Sequence, residues 1–574
     1  MVKPHLFIVF SLLCLFALSS QAKVTHTTVP PARIVWMSDN TGKFVSNPNH
    51  LLGTFSGQLS VSDTSYATLM SSDTHQASIL LDFGKEMYGR IKIFSAIREC
   101  KVPVRLRIRL GESVTEAMSD VNMPDNPQNP TNEHSLRDFT VSAPWLGSFQ
   151  CGNSGFRFAR IDLLDKDIKY NLRHVSAVSL IRDIEDKGSF CSDNERINQI
   201  WQTGAYTVKL NMQEYLWDGI KRDRLVWVGD MHPEVMTINN VFGEQEVVYK
   251  SLDFARDDTP FPGWMNGMCS YSLWWIIIQK DLYMYQGNLD YLKSQRDYLL
   301  RLVKQIDERI DENGVERLDG IRFLDWPTSE NQNVIHSGLQ SLSFMAMKAA
   351  VQIGEYIGDR DMIRMASSCL ERMKGVAVDA HDNSQAAALN IISGLSTDPE
   401  KDCETILKNG LDGFSTFYGY YMLRAMALAG NYQGALDVIR TYWGAMLDVG
   451  ATTFWEDFNM EWLPDAGRID ELVPAGKKDI HGDYGAYCYQ GFRHSLCHGW
   501  ASGPTSWLSE YVLGVQVVEP GCRTVRIIPH LGDLEWVEGT FPTPYGVIEI
   551  RHEKGADGKV ISHINAPEEI RVTP

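Results

Sequence analysis

The sequence predicts a multidomain protein: a central array of α-helices flanked by an N-terminal β-sandwich and a smaller C-terminal β-domain. At 574 residues the chain is too long for one hydrophobic core. From about residue 31 to 185, short runs rich in Val, Ile, Leu and Phe alternate with polar residues. Apolar residues then recur at helical spacing to about residue 515, after which short alternating runs return.

The N-terminus has the pattern of a signal peptide. Lys3 and His5 precede an apolar run of 13 residues, and Ser20-Gln21-Ala22 ends in a small residue. We therefore expect residues 1–22 to be removed and the protein to be exported, to the periplasm or beyond. Bulky Leu13 before Cys14 argues against lipidation. Because no later apolar run reaches about 18 residues, we expect a soluble protein without a membrane span.

The first folded domain is predicted at residues 23–187. The runs ASILLDFG, GRIKIFSAI, VPVRLRIRLGES and FRFARIDLLD are short and bounded by Gly, Pro and Asp. RLRIRL alternates strictly, with arginines on one face. MSDVNMPDNPQNPTNEHS is a long polar loop. The product expected is an antiparallel β-sandwich.

The helical domain is predicted at residues 188–512. Ser192-Asp193-Asn194-Glu195 combines capping side chains with acids in the first turn of a helix. Breaks at Gly287-Asn288, Asn313-Gly314, Gly358-Asp359 and Gly430-Asn431 turn one helix towards the next. Roughly ten to twelve helices in hairpins fit an α/α toroid of two concentric rings. Other all-α arrays share this periodicity.

The remaining residues, 513–574, contain four short strand-like runs, with Ala556-Asp557-Gly558 as a turn between two of them. About 60 residues is small for an independent core, so this β-domain should pack against the helices.

Charge and cysteine content narrow the function classes. The formal net charge of -18 opposes nucleic acid binding, which needs a basic footprint. Nine cysteines follow residue 22, widely spaced and without a CxxC pair. This is neither a dense disulfide scaffold nor a zinc site. Most should be small buried hydrophobes, with one or two bridges open in an exported protein.

The richest stretch is WDGIKRDRLVWVGDMHPE, residues 217–234. It holds carboxylates, arginines and tryptophans together; the carboxylates are Asp218, Asp223, Asp230 and Glu234. One interpretation is a charged loop paired for stability. The other is a pocket in which a polar ring is stacked, hydrogen-bonded and protonated.

Three further segments combine tryptophan with polar residues. In VGATTFWEDFNMEWL, Glu456 and Asp457 lie between Trp455 and Phe458, and aromatic neighbours exclude water from a carboxylate. The alternative there is an acidic helix start. RFLDWPTSENQ contains Asp325 and Trp326. FPGWMNGMCSYSLWW contains Trp264, Asn266, Trp274 and Trp275.

Two histidines, His494 and His498, precede a helix at four-residue spacing in RHSLCHGWASGPTSW. No HExxH motif and no third ligand accompany them, so we expect neither a metal nor a cofactor. Tryptophan faces stack on the apolar side of sugars while carboxylates bind hydroxyls. Four such segments in an exported protein favour glycoside hydrolysis, which commonly uses two carboxylates.

The chain resembles bacterial α-L-rhamnosidases of glycoside hydrolase family 78, inverting enzymes with an (α/α)6 catalytic domain flanked by β-domains. DGIKRDRLVWVGD (218–230) is similar to the family segment D-C-P-x-R-[DE]-x-x-x-W-x-G-D. GATTFWEDFN (450–459) is similar to G-A-T-T-x-W-E-x-W. LLDFGKEMYGRIKI and PTPYGVIEI resemble the family's sandwich and closing β-domain. The resemblance covers nearly the whole chain after residue 22.

The resemblance implies a role for individual residues. Asp218, Arg222 and Asp230 match positions that bind sugar hydroxyls, and Trp227 matches an aromatic of the sugar pocket. Glu456 matches the general base that activates water. Asp325, Trp326 and Trp455 are further candidates for the sugar site. Either His494 or His498 matches the family's pocket histidine.

The proposed general acid is where the chain departs from the family pattern. The acid lies four residues before the motif tryptophan and is usually Glu, but here it is Asp223, one methylene shorter. Asp223 could act as the acid, Glu234 could substitute, or activity could be weak. Gly219-Ile220 replaces the family's Cys-Pro, and Phe458 replaces a Trp. Inversion by Asp223 and Glu456 requires carboxyls roughly 6.5–9.5 Å apart.

Two other classes of function remain open. A different toroid enzyme is one; a polysaccharide lyase could use Tyr484, His481 and Arg493 as base and uronate partner. The other is a glycan-binding protein without turnover. In each reading the partner is a glycan, and the predicted substrate is rhamnose-containing.

Overall fold

The computed structural model describes residues 23–97, 102–120 and 137–574. The predicted signal peptide, Cys100 and most of the predicted polar loop lie outside these ranges. In the part that is described, no helix is long and apolar enough to cross a membrane. Five of the described cysteines are buried free thiols: Cys269, Cys369, Cys403, Cys497 and Cys522.

The N-terminal domain is a nine-stranded, wholly antiparallel sheet. Its order is β3-β4-β9-β5-β8-β6-β7, with β1 beside β9 and β2 beside β5. Alternate residues of β5, β6, β8 and β9 fill one apolar core, as expected for a sandwich. The strands are β1 Val24–Val29, β2 Arg33–Met37, β3 Val45–Ser46, β4 Ala67–Met70, β5 Ser78–Ser95, β6 Val104–Gly111, β7 Asp138–Ala143, β8 Gly147–Leu163 and β9 Lys169–Arg182. A short helix, α1 (Val114–Met118), follows β6.

The central domain is helical, and its first helix begins where capping predicted. The Asn194 side chain accepts a hydrogen bond from Ile197 N. The helices are α2 Glu195–Asn211, α3 Val228–Val241, α4 Glu246–Asp257, α5 Cys269–Gln286, α6 Leu289–Ser294, α7 Arg296–Asp307, α8 Gln332–Ile357, α9 Arg360–Met373, α10 Ser384–Ser393, α11 Pro399–Leu407, α12 Gly419–Leu428, α13 Tyr432–Val438, α14 Gly444–Asp448 and α15 Gly503–Trp507. π-Helical turns, Ile439–Trp443 and Leu508–Val512, continue α13 and α15. Single 3-10 turns lie at Pro48–Leu51, Met265–Gly267, Trp326–Thr328, Gly410–Gly413, Met460–Trp462, Gly491–Arg493, Gly499–Ser502 and Pro520–Cys522.

Six of these helices close into an inner ring. In order, α3, α5, α8, α10, α12 and α15 each pack against the next, and α15 packs back against α3. Each inner helix is preceded in the chain by an outer one, which gives six hairpins and the predicted (α/α)6 toroid. Every residue of α3 is buried, as an inner position requires. Gly287 and Gly358, at two predicted breaks, end α5 and α8 in the left-handed conformation.

The C-terminal strands form two small sheets, one of which recruits a distant segment. β13 (Val515–Glu519), β14 (Thr524–Ile527) and β18 (Arg571–Thr573) form one sheet. The other contains β15 (Trp536–Thr543), β16 (Gly546–Lys554) and β17 (Val560–Asn565). Its edge strand is β10 (Ser189–Ser192), which precedes the toroid and pairs with β15. A two-residue pair, β11 (Ala466–Gly467) with β12 (Lys478–Asp479), lies in the last loop region.

The N-terminal domain braces the loops of the toroid through side-chain contacts. Arg157 Nη1 donates to the Gly450 carbonyl at 3.0 Å, and Glu86 N donates to Thr452 Oγ1 at 2.9 Å. Glu112 accepts a hydrogen bond from Leu496 N at 2.8 Å. These three loop residues flank Glu456 in sequence or in space, so the sheet domain helps to shape the candidate site.

Candidate active site

The candidate residues gather at one end of the ring, where outer helices lead into inner ones. Asp218 to Trp227 precede α3, Asp325 precedes α8, and His498 precedes α15. Glu456 lies in the long connection between α14 and α15. Because all these connections meet at the N-terminal ends of inner helices, the toroid brings together segments far apart in sequence. The partial positive charge of helix N-termini favours carboxylates there.

Asp218 organises the loop that carries the proposed acid. Its two carboxylate oxygens accept hydrogen bonds from Asp223 N at 2.8 Å and Leu225 N at 2.9 Å. Asp218 is buried, and this burial raises its pKa to about 7 against the opposing charge of His498. The carboxylate therefore fixes loop geometry from within the site.

Arg222 joins the two proposed catalytic carboxylates. Its Nη1 lies 3.2 Å from Asp223 Oδ1, and its Nη2 donates to Glu456 Oε2. Its Nε donates to the Arg493 carbonyl. One guanidinium therefore bridges an oxygen of each carboxylate.

Glu456 is held rigidly and is almost fully buried. Its Oε2 also accepts from Ser495 N at 3.0 Å, while Glu456 N donates to the Ser495 carbonyl at 2.9 Å. The Glu456 carbonyl accepts from Thr416 Oγ1 at 2.5 Å and from Trp500 Nε1 at 3.0 Å. Three loops therefore fix the backbone and one carboxylate oxygen, and the other oxygen, Oε1, faces His498.

His498 is the histidine that enters the site. Its Nε2 lies 3.3 Å from Asp230 Oδ2 and its Nδ1 lies 4.0 Å from Glu456 Oε1. Burial disfavours its charged form, but the Glu456, Asp218 and Asp230 carboxylates outweigh that effect and raise the pKa of His498. Asp230 also accepts from the Tyr271 hydroxyl at 3.0 Å.

His494 lies behind the site and has a different role. Its Nε2 accepts a hydrogen bond from Asp457 N at 2.9 Å, and its ring packs edge-on against Trp455. Burial lowers the pKa of His494 well below its usual value, so the ring is neutral. The two histidines, which the sequence could not separate, thus differ in environment and charge.

Two further carboxyl groups are protonated more readily than usual. Asp325 accepts from Ser415 Oγ at 2.6 Å and from Trp326 N at 2.8 Å, and burial raises its pKa to about 6. Burial, with the charges of Asp325 and Glu456, raises the pKa of Asp457 to about 7. Burial is the main cause of both shifts, and neighbouring carboxylates add to it because like charges disfavour ionisation.

The aromatic candidates divide between surface and core. Trp227 and Trp326 are half-buried, and Trp227 packs edge-on against Tyr271. Trp455 is fully buried against Phe458 and His494. It can therefore support the site from behind.

The fourth tryptophan segment is mainly scaffolding. Asn266 accepts from Val228 N and donates to the Val226 carbonyl, both at 3.0 Å, so it caps α3 and places Trp227. Trp274 and Trp275 are buried in the core of the toroid.

Glu234 and the pair Glu112 and Glu116 are further buried acids of this region. Glu234 is fully buried, and this burial raises its pKa well above the usual value. Among the described residues, one group has metal-ligand spacing: Glu112, Glu116 and His481. Lys221 Nζ lies 2.9 Å from Glu112 and 3.2 Å from Glu116, so an ammonium already occupies this position.

Sequence reasoning missed several residues that shape the site. Tyr271, Ser415, Thr416 and Ser495 bind or position the carboxylates, although none of them is charged. Tyr271 and Ser495 lie within the segments FPGWMNGMCSYSLWW and RHSLCHGWASGPTSW, whereas Ser415 and Thr416 lie outside every segment that the sequence analysis selected.

Comparison with known proteins identifies the domains. Residues 185–361 match the model of the bacterial alpha-L-rhamnosidase six-hairpin glycosidase domain, and residues 514–573 match that of the bacterial alpha-L-rhamnosidase C-terminal domain. An alpha-L-rhamnosidase of Alteromonas sp. is 24% identical over 86% of this chain and 55% of its own length. One of Formosa agariphila is 21% identical over 78% and 51%. The chain spans about half the length of these curated relatives.

Solved structures share the fold. The GH78 rhamnosidase of Bacillus sp. GL1 superposes with a TM-score of 0.72 at 20% identity, covering 92% of this chain and 55% of that one. The rhamnosidase of Klebsiella oxytoca, solved with rhamnose bound, gives 0.67 at 19% identity, covering 85% and 96%. In sequence, residues 185–361 and 514–573 of this chain are thus similar to the six-hairpin glycosidase and C-terminal domains of bacterial α-L-rhamnosidases, and the chain shares its fold with solved rhamnosidases.

Proposed function

We propose that this protein is an exo-acting glycoside hydrolase that releases terminal α-L-rhamnose from a rhamnose-containing glycan by inversion. The observation that carries the proposal is the pair of contacts from Arg222 to Asp223 and Glu456. Two carboxylates more than two hundred residues apart in sequence meet at one guanidinium inside a glycosidase toroid. Glycoside hydrolysis commonly uses such a pair.

The environments of the two acids suit different roles. The Asp223 side chain is 20% exposed and lies towards solvent, where a leaving group would depart, so it is assigned as the general acid. Glu456 is 4% exposed and held by three loops, so it is assigned as the base that activates water. A retaining pair would stand about 5 Å apart. Because inversion and retention give opposite anomers, the anomer that is released first distinguishes the two mechanisms.

The surrounding polar groups suit a sugar ring. Asp218, Arg222 and Asp230 are assigned to sugar hydroxyls, with His498 between Asp230 and Glu456. Trp227, Asp325 and Trp326 are assigned to the wall of the site. His494 and Trp455, which lie behind it, are assigned to support of that wall.

We also infer the cellular context and domain limits from the sequence pattern. Residues 1–22 are assigned as a signal peptide that directs export to the periplasm or the medium. The domains are assigned as 23–187, 188–512 and 513–574. Strand β10 lies within residues 188–512 in sequence, but it pairs with β15 and so belongs to the C-terminal sheet.

The test uses the protein without residues 1–22 and p-nitrophenyl α-L-rhamnoside, alongside plant and algal rhamnose-containing oligosaccharides. Wild type should release rhamnose, with the β-anomer appearing first in the NMR spectrum. On the oligosaccharides, whose sugar leaving group needs a proton, Asp223→Asn and Glu456→Gln should each lower kcat/KM about 10²- to 10⁴-fold, the scale of losing a catalytic acid or base. Activity that survives both substitutions would refute the assigned pair.

A second candidate is glycan binding without turnover. Asp223 supports it, because this shorter acid is engaged by Arg222 at 3.2 Å and lies 3.8 Å from Arg493 Nη2. L-rhamnose binding by calorimetry with no hydrolysis of any rhamnoside would favour this candidate. A lyase finds less support. Of its two candidate bases, His481 is fully buried and bonded to Ser113 and the His494 carbonyl, and the Tyr484 hydroxyl donates to the Trp462 carbonyl at 3.3 Å.

A further inference from the structure

A pair of stacked aromatic rings stands at the edge of the candidate site. The Tyr487 ring lies 6.0 Å from that of Trp326, with 28° between their planes. Phe323 and Tyr489 each pack edge-on against Trp326. Tyr487 is nevertheless 44% exposed, so one face of its ring remains open to solvent.

The segment that carries Tyr487 runs beside the proposed catalytic pair. The next residue, Cys488, is partly buried; this burial raises the pKa of its thiol to about 12, and the charges of Glu456, Arg222 and Asp223 also act on it. The Tyr487 hydroxyl is within the electrostatic reach of Asp325, Asp457 and Glu330. Tyr487 therefore lies close to acids of the candidate site.

Exposure increases steadily from the depth of the site to this edge. Asp230 and Glu456 are at most 4% exposed, Asp223 is 20% exposed and Tyr487 is 44% exposed. In a site that takes the terminal sugar of a chain, that sugar sits deepest. The rest of the glycan must leave past the exposed acid and the rim.

The backbone at Tyr487 is in an unusual conformation. Its φ of 54° is in the left-handed region, which residues other than Gly, Asn and Asp seldom adopt. Such strain persists where surrounding structure imposes it, and it is frequent at ligand-binding positions. Tyr487 packs against Trp326 and Tyr489, and these contacts still leave 44% of the residue exposed for a ligand.

We propose that Tyr487, backed by Trp326, is the platform on which the leaving group stacks, and that this group is a pyranose ring. An aromatic face binds the apolar side of a sugar, and the exposed Glu330 carboxylate nearby can accept hydrogen bonds from its hydroxyls. This inference rests on the proposed function and adds the chemistry of the leaving side. The preferred substrates are rhamnosyl oligosaccharides.

The test compares two substrates that share the rhamnosyl group. The leaving group of α-L-rhamnosyl fluoride is fluoride, which has no ring, and that of an α-L-rhamnosyl-glucose disaccharide is a pyranose. Tyr487→Asn removes the platform with a residue that tolerates the left-handed backbone. It should lower kcat/KM for the disaccharide about tenfold, the scale of one aromatic stacking contact. For the fluoride, it should change kcat/KM less than about twofold.

Two control variants separate stacking from general damage. Tyr487→Phe keeps the ring and should retain wild-type selectivity between the two substrates. Tyr484→Ala removes another tyrosine of the same segment, one that stacks on Trp462 instead, and should leave the ratio of the two constants unchanged.

The outcomes separate the two proposals. Equal loss on both substrates in Tyr487→Asn, or no loss on the disaccharide, overturns the platform while the proposed function stands. Failure of wild type to hydrolyse the fluoride overturns the proposed function itself, and the platform with it. Loss confined to the disaccharide supports both.

Discussion

Replacing Lys221 with methionine should loosen the junction between the N-terminal sheet and the active-site loops. Lys221 Nζ is almost fully buried and contacts Glu112 and Glu116 of the sheet domain at 2.9 and 3.2 Å. It also donates to the carbonyls of Phe492 and His494 at 2.9 and 2.7 Å. One ammonium thus ties the motif loop to both the sheet domain and the 492–496 loop.

The expected cost follows from burial. Methionine matches the length of lysine but leaves buried Glu112 without the ammonium that contacts it, while Glu116 keeps Arg137, whose Nε lies 3.7 Å away. Removing one partner of a buried ion pair costs about 3–5 kcal/mol. Burial already raises the pKa of Glu112 to about 7, against the opposing effect of Lys221. Without Lys221, this pKa rises further, so Glu112 takes up a proton at mildly acidic pH and the loss should shrink there.

The assay is urea unfolding followed by tryptophan fluorescence at pH 8 and at pH 5.5, with kcat/KM measured in parallel. Lys304→Met is the matched control, since Lys304 makes an exposed ion pair with Glu308 at 3.8 Å. Loss of that pair should lower the free energy of unfolding by less than about 1 kcal/mol. Because Ser495 N binds Glu456, displacement of the 492–496 loop should also lower kcat/KM, by up to about 10²-fold.

If Lys221→Met loses no more unfolding free energy than Lys304→Met, the buried Lys221 contacts do not stabilise this junction. A loss that grows as the pH falls would also refute this reasoning, because the unpaired charge on Glu112 is the assumed cause.

Three further predictions concern residues within the ring. Arg222→Lys should lower kcat/KM about 10²-fold, since a point charge cannot hold Asp223 and Glu456 as the planar guanidinium does; unchanged kinetics would contradict this. Asn266→Ala should destabilise the protein by about 1–2 kcal/mol in thermal unfolding, because α3 loses its cap. Asp325 has a folded pKa of about 6, above its usual value of 3.8, so its stabilising effect is complete below pH 3.8 and is lost as the pH rises through 6. Between pH 4 and pH 7, wild type should therefore lose about 2–3 kcal/mol relative to Asp325→Asn in urea titrations; a difference that does not vary with pH would exclude this effect.

Much of the fold could be predicted because helical spacing and turn residues are local signals. Asn194 and Gly287 mark helix ends through their own side-chain and backbone preferences. Strand β10 could not be placed in the same way. Its four residues pair with β15 some 345 positions later, and so short a segment carries no mark of its partner.

The site was predictable in its parts but not in its connections. The motif segments indicated Asp218, Asp223 and Glu456 as candidates. That Arg222 contacts both acids depends on how the six hairpins close, which no local pattern contains. The distinction between His498 and His494 likewise comes from burial and neighbouring charges, since both share one segment.

The most direct test of the proposed function uses proton NMR to monitor the products of an α-L-rhamnoside during the first minutes of hydrolysis. Wild type should release β-L-rhamnose first, and neither Asp223→Asn nor Glu456→Gln should release it at a comparable rate. First appearance of the α-anomer, or hydrolysis that persists in both variants, would contradict the assignment of Asp223 and Glu456 as an inverting pair.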